Sequence, residues 1–208
     1  MRRKRGRDDP SDIWASFGLS SRVWTQKHFL RQDEVDMLLG LNVAWTPIVN
    51  SDGERDPSRF QHILKRSLAT RVEELLSNRL LEHGLYEHPC ITKAAMLKSV
   101  ASGASQKFHT DLPANADARS GSILVALEPG AHIYILAQDG MTYIRLEFEP
   151  GDAVWFDAHV VHAGGSYAKT NIRLHAHVFE GQPGKDHASI YLLKAPTRHV
   201  RIVTIAAA

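Results

Sequence analysis

Residues 150–179, PGDAVWFDAHVVHAGGSYAKTNIRLHAHVF, carry the fold-deciding pattern of this chain. A Pro-Gly-Asp turn opens a short apolar run, Ala153–Phe156. A second run, His159–His162, ends in a histidine and then Gly164-Gly165, and a third, Ile172–Phe179, follows after a polar break. Upstream the same grammar recurs. Ala94–Val100, Ser122–Leu127, Ile133–Leu136 and Tyr143–Phe148 are β-branched or apolar, with Pro129-Gly130 and Asp139-Gly140 between them. Downstream lie Gly181-Gln182-Pro183-Gly184 and then Ser189–Leu193. About eight short strands with turn signals every ~8–12 residues predict an antiparallel sandwich or barrel.

Before Gly84 the period is different. Gln32 to Leu41 has a helical pattern with acidic residues in its first turn. Residues 51–57, SDGERDP, read as a loop. Phe60, Ile63, Leu64, Leu68, Val72, Leu75, Leu76 and Leu80 recur at spacings of three and four, which predicts an amphipathic helix of roughly six turns closed by Gly84. Its apolar stripe needs a partner, and a sheet is the available one. The expected class is therefore α+β, with N-terminal helices packed on one outer face of a strand-rich barrel. In domain terms, residues 1–20 are expected to form a mobile basic leader and 21–208 one domain. Within it, 21–88 is a helical support region and 89–208 the barrel core.

Composition narrows the class. The chain has 208 residues, 43% hydrophobic and 23% charged, as in an ordinary soluble domain with a sizeable core. No apolar run approaches the ~20 residues of a membrane span, and the N-terminal residues lack a secretory apolar segment. The formal charge of +2 conceals an asymmetry. Five basic residues lie within RRKRGR (residues 2–7), and removing them from 25 leaves 20 against 23 acidic residues, a balance of −3. The body gives no support for nucleic-acid binding. The basic tail suits a cytoplasmic or nuclear intracellular protein, as a localisation signal, a nucleic-acid-touching arm or a solvated terminus. Cys90 is the single cysteine, so no internal disulfide forms, and it is expected as a packed core residue.

The candidate chemistry lies in residues 106–113, QKFHTDLP. In an extended strand, side chains i and i+2 share a side, so His109 and Asp111 can share one metal while Thr110 faces away. His162, 51 residues beyond Asp111, would complete a set of two imidazoles and one carboxylate. That set suits a non-haem Fe(II) site with open positions for cosubstrate and dioxygen. The glycines after His162 permit close approach of backbone or ligand. An HxD pair alone is a weak signal in a chain with 12 histidines. Its weight comes from the order: HxD early in the strand region, His162 in a Gly-flanked turn, and Arg173 inside a later strand.

QKFHTDLP, the run SGSILVALEPGAHIYIL (120–136) and the 150–179 segment together resemble the Fe(II)/2-oxoglutarate-dependent dioxygenase superfamily over about Ala94 to Glu180. The resemblance implies a double-stranded β-helix (jelly-roll, cupin-like) core. It implies His109, Asp111 and His162 as iron ligands, with 2-oxoglutarate as cosubstrate and ascorbate as reductant. Arg173 matches the residue that pairs with the distal carboxylate of 2-oxoglutarate, a role suited to its planar fork. His175, on the same side as Arg173, would be a second cosubstrate contact, or equally a histidine that supports a metal ligand or faces the substrate, and Tyr134 an assisting tyrosine from another strand. The implied reaction is hydroxylation, or demethylation through a hydroxylated intermediate. The substrate is a small molecule, a protein side chain or a nucleobase.

Two other readings compete. A cupin-like metalloprotein not using 2-oxoglutarate would use an HxH pair with a downstream Glu. His175-Ala176-His177 supplies HxH late in the chain without the Glu. A non-catalytic ligand-binding barrel would be expected to lack one of the triad residues. Trp14, Trp24 and Trp45 could stack on a substrate or simply pack; Trp155 belongs to the barrel.

Overall fold

The computed structural model describes residues 14–19, 22–49, 53–112, 119–181, 191–192 and 201–206. Most of the leader, including its basic residues, lies outside the described residues. The strands are β1 (Val23–Gln26), β2 (Thr46–Val49), β3 (Arg55–Ile63), β4 (Pro89–Ser99), β5 (His109–Thr110), β6 (Gly121–Ala126), β7 (Ala131–Leu136), β8 (Thr142–Phe148), β9 (Ala153–Asp157), β10 (His162–Gly164), β11 (Asn171–Glu180), β12 (Tyr191–Leu192) and β13 (Arg201–Ala206). Among the described residues the helices α1 (Gln32–Leu39) and α2 (Arg66–Glu82) fall between the first of them, and a helical turn covers residues 14–16.

The strands form two facing sheets. One runs β1-β9-β6-β11-β4-β3-β2, the other β12-β5-β10-β7-β8-β13. All pairings are antiparallel except β13 with β8. Strand alternation divides the larger sheet into two faces. Ile123, Val125, Met96, Leu174, Ala176 and Val178 point outward and join Val35, Leu38, Val72, Leu76 and Leu80 of the helices in one core. Leu124, Ala126, Val154 and Phe156 point inward and meet Ile133, Ile135, Ile144 and Leu146 of the second sheet. The architecture is the expected helix-covered double sheet, because a strand buried on both faces supplies apolar side chains to both layers.

Several expectations about residues 21–88 fail. Residues 21–88 are not purely a helical support region, since β1, β2 and β3 extend the larger sheet. The predicted helix from Phe60 begins only at Arg66. Phe60 and Ile63 lie on β3, paired to Lys98 and Ala95 of β4, and the 51–57 loop gives way to strand from Arg55. Spacings of three and four across Phe60, Ile63 and Leu64 join a strand end to a helix start; hydrogen bonding to β4 overrides the local pattern. The helix ends as expected, with His83 as its C-cap and Gly84 at φ +67°. The predicted strand at His159 begins at His162, and β13 falls on RIVTIA, residues 201–206, which carried no predicted element.

Cys90 is half-buried and packs against Leu112, Ala158 and Phe179, and burial pushes its thiol pKa up; it lies at the edge of the core, where the sequence predicts a core position. Trp14 is buried in the inter-sheet core. Trp24 sits edge-on to Phe29, and the Trp155 indole N–H donates to Tyr86 Oη at 2.9 Å. Among the described residues no helix is long and apolar enough to cross a membrane.

Candidate metal centre

The HxD pair sits where a short strand ends. His109 is in β5, opposite His162 of β10, and Asp111 follows directly. His109, Asp111 and His162 are 4%, 8% and 6% exposed, and their ligand atoms all lie within 4.8 Å of one another. Asp111 Oδ1 is 3.4 Å from His109 Nε2 and 3.5 Å from His162 Nε2.

The outer nitrogens of both imidazoles decide the chemistry. His109 Nδ1 lies 2.9 Å from the Lys107 carbonyl and His162 Nδ1 3.1 Å from the Val160 carbonyl. A carbonyl only accepts, so each Nδ1 carries the hydrogen. In the neutral rings both Nε2 lone pairs then face Asp111 Oδ1. Three acceptor atoms converging on one point repel one another unless a cation lies between them, either a proton or a metal ion. The donor set therefore fits a divalent metal of the Fe(II) type.

The other carboxylate oxygen is fixed separately. Asp111 Oδ2 accepts from Ser122 Oγ at 2.6 Å and from His175 Nε2 at 3.0 Å. Burial pushes the Asp111 carboxyl up, but the charge and hydrogen bonds that His162 and His109 offer once a proton sits on their Nε2, with the hydrogen bond from His175, outweigh it and hold the group well below the usual carboxylate range. Burial lowers His162 despite Asp111. At His109 the opposing bond and charge of Asp111 overcome burial and raise it. Burial, then the neighbouring His175, drops His177 to about 4, so its ring is neutral near pH 7.

Arg173 is 5% exposed on β11. Its guanidinium donates to Ser99 Oγ at 2.9 Å and Asn171 Oδ1 at 3.2 Å, and lies 4.7 Å over the Tyr167 ring. Among the described residues it meets no carboxylate; the nearby Arg59 has Asp56 at 3.0 Å. A buried guanidinium held by neutral partners keeps its charge available for an anion.

A cavity of about 390 Å³ joins these groups. Arg173, His175 and His177 of β11 line it together with the triad, walled by Leu124, Ile133 and Phe156. Gly164 also lines it, for a reason of space: Gln106 Oε1 accepts from its N–H at 2.8 Å, and a Cβ there would sit 2.6 Å from that oxygen. The glycine accommodates a side chain, where the sequence had suggested backbone or ligand.

One sequence assignment changes, and between two others the geometry favours one. His175 bonds Asp111 Oδ2 at 3.0 Å, the supporting role weighed beside a cosubstrate contact. Tyr134 is not at the site. On β7 its neighbour Ile133 lines the cavity, and strand alternation turns Tyr134 to the other side, beside the His132 ring. Ser99, Ser122 and Tyr167 carried no sequence signal, because a serine or tyrosine acquires its role only from the strand opposite. Asn171, two residues before Arg173, lies on the same side of β11 and accepts from its guanidinium. None of the four tryptophans lines the cavity.

No family model and no curated protein matches the sequence. Solved structures do. HygX from Streptomyces hygroscopicus, with nickel and 2-oxoglutarate bound, superposes with a TM-score of 0.61 at 9% identity, covering 84% of this chain and 96% of that one. A 2OG-Fe(II) oxygenase family oxidoreductase from Burkholderia pseudomallei gives 0.60 at 10% identity, over 91% and 98%. The viral collagen prolyl hydroxylase of Paramecium Bursaria Chlorella virus-1, as its 2OG complex, gives 0.55 at 12% identity, over 77% and 97%. Likeness at such identities is one of fold, and the chain carries the double-stranded β-helix fold of these 2OG-Fe(II) oxygenase structures.

Proposed function

We propose that the protein is an Fe(II)- and 2-oxoglutarate-dependent oxygenase that hydroxylates its substrate, or demethylates it through hydroxylation. The observation that carries this reading is the convergence of His109 Nε2, Asp111 Oδ1 and His162 Nε2 in one cavity with a buried Arg173 that has no carboxylate partner among the described residues. The relatives of known fold that hold nickel and 2-oxoglutarate, or 2OG, support it.

When bound, iron and 2-oxoglutarate supply an oxidative decarboxylation coupled to oxidation of a substrate C–H. The chain's residues hold and exclude. His109 and His162 present lone pairs whose direction is set by the Lys107 and Val160 carbonyls. Ser122 and His175 engage Asp111 Oδ2, which leaves Oδ1 for the metal. Arg173 offers a carboxylate two donors already oriented by Ser99 and Asn171. Leu124, Ile133 and Phe156 keep that end of the cavity apolar and limit water.

The test is turnover of labelled 2-oxoglutarate by purified protein with Fe(II) and ascorbate. Asp111→Ala is expected to abolish turnover and metal binding. Arg173→Leu, losing a charge-assisted pair worth about 2–3 kcal/mol, is expected to weaken 2-oxoglutarate binding on the order of 100-fold with the metal retained. Full turnover in Asp111→Ala would sink the reading. Iron binding without 2-oxoglutarate binding would favour a cupin-like metalloprotein, and binding of neither a non-catalytic barrel.

A further inference from the structure

We propose that the substrate is a small molecule carrying an anionic group, a carboxylate or a phosphate, that seats on Lys93 at the mouth of the metal cavity. This rests on the oxygenase reading above and adds a substrate class to it.

Lys93 stands at a β-bulge. On β11, His175 pairs with Ala95 of β4, but His177 pairs with Thr92, so one extra residue of β4 lies between those positions. Ile91 and Ala94 both point into the helix-side core. The extra side chain therefore falls on the cavity side, and Lys93 lines the cavity there. Its backbone is left-handed, φ +54°, a region that disfavours side chains with a Cβ. Bulges beside active sites re-aim side chains, and this one delivers an ammonium to an otherwise regular strand pair. The residue is exposed, which places it at the opening, and among the described residues it has no carboxylate partner.

Charge balance gives the class. Among the described lining residues Lys93 and Arg173 are the formal cations and Asp111 the formal anion. A divalent metal is balanced by Asp111 and one carboxylate of 2-oxoglutarate, and Arg173 by the other. Lys93 is then the charge left without a counterion. The walls nearby, Ile48, Ile63 and Leu97 with Gln61, suit an organic body behind the anionic group. The volume, about 390 Å³, falls in the range of small-molecule pockets, and 2-oxoglutarate takes part of it. Lysine, a point charge without a planar fork, accepts carboxylate and phosphate alike.

The experiment uses the full chain with Mn(II) and saturating 2-oxoglutarate, without dioxygen, so that Arg173 is already engaged. Three fluorine NMR probes are titrated: 4-fluorobenzoate, 4-fluorophenyl phosphate and the uncharged 4-fluorobenzamide. At least one anion is expected to bind about tenfold more tightly than the amide, as one charged contact gives, and the better anion identifies the headgroup. Lys93→Gly, which suits a positive φ and so preserves the fold, is expected to erase the preference, and Lys93→Arg to keep it. Equal binding of all three probes, or a preference that survives in Lys93→Gly, overturns the proposal. Titration of 2-oxoglutarate into the Mn(II) protein precedes the probes. Its failure removes the oxygenase reading, whereas normal 2-oxoglutarate binding with no Lys93-dependent preference removes only the anion site.

Discussion

Asp111 has two oxygens with separate tasks, and the residues around it are sorted by which oxygen they serve. Oδ1 faces His109 and His162, while Oδ2 is held by Ser122 and His175. A ligand held at its far oxygen loses less orientational freedom on binding metal, which is why partners of metal ligands influence affinity without touching the ion. His175→Ala is accordingly expected to weaken metal affinity roughly 10–100-fold, read by titration with Mn(II). The affinity for 2-oxoglutarate at saturating metal is expected to stay unchanged. A variant that loses 2-oxoglutarate and keeps metal would return His175 to the cosubstrate.

At the scale of elements, β11 organises the molecule. Arg173, His175 and His177 of this strand enter the cavity, and the alternate residues Leu174, Ala176 and Val178 enter the core beneath α1 and α2. The helices thus brace the back of the strand that carries Arg173. Leu76 of α2 is fully buried in that core. Leu76→Ala is expected to lower stability by about 2–5 kcal/mol through lost burial and a residual cavity, measured by urea unfolding. In the fraction that remains folded, 2-oxoglutarate affinity is expected to hold, since β11 is also pinned by β4 and β6. The bulge in β4 opposite Ala176 is an element-scale feature of the same strand pair, and it places Lys93 at the cavity.

Across the whole molecule, a metal on the triad and 2-oxoglutarate on Arg173, as proposed, would act as clamps between the two sheets. His109 and His162 belong to the smaller sheet, Arg173 to the larger one. Ligands that bind only this assembled arrangement stabilise it by mass action. Mn(II) and 2-oxoglutarate at about 100 times their Kd should add roughly 2.7 kcal/mol each. For a domain of this size each kcal/mol raises Tm by about 2–4 °C. The expected outcome is a Tm that rises with both ligands, a 2-oxoglutarate increment absent in Arg173→Leu, and no metal increment in Asp111→Ala, all read by thermal melts.

The sequence determined what local chemistry can encode. Turn residues and alternating apolar runs specified most strands after Gly84, since pleat periodicity and glycine or proline turns are properties of a few adjacent residues. The HxD spacing, His162 and Arg173 marked the candidate ligand types in order. Tertiary structure decided what depends on a neighbour distant in the chain. Phe60 and Ile63 became strand because β4 was there to pair with. Tyr134 left the site because the register of β7 turns it away from the cavity that Ile133 lines. His175 became a support for Asp111 because β11 runs past it, and Ser122 acquired the same task from β6. A linear pattern gives each side chain a side of its strand, and only the assembled sheets give that side an address.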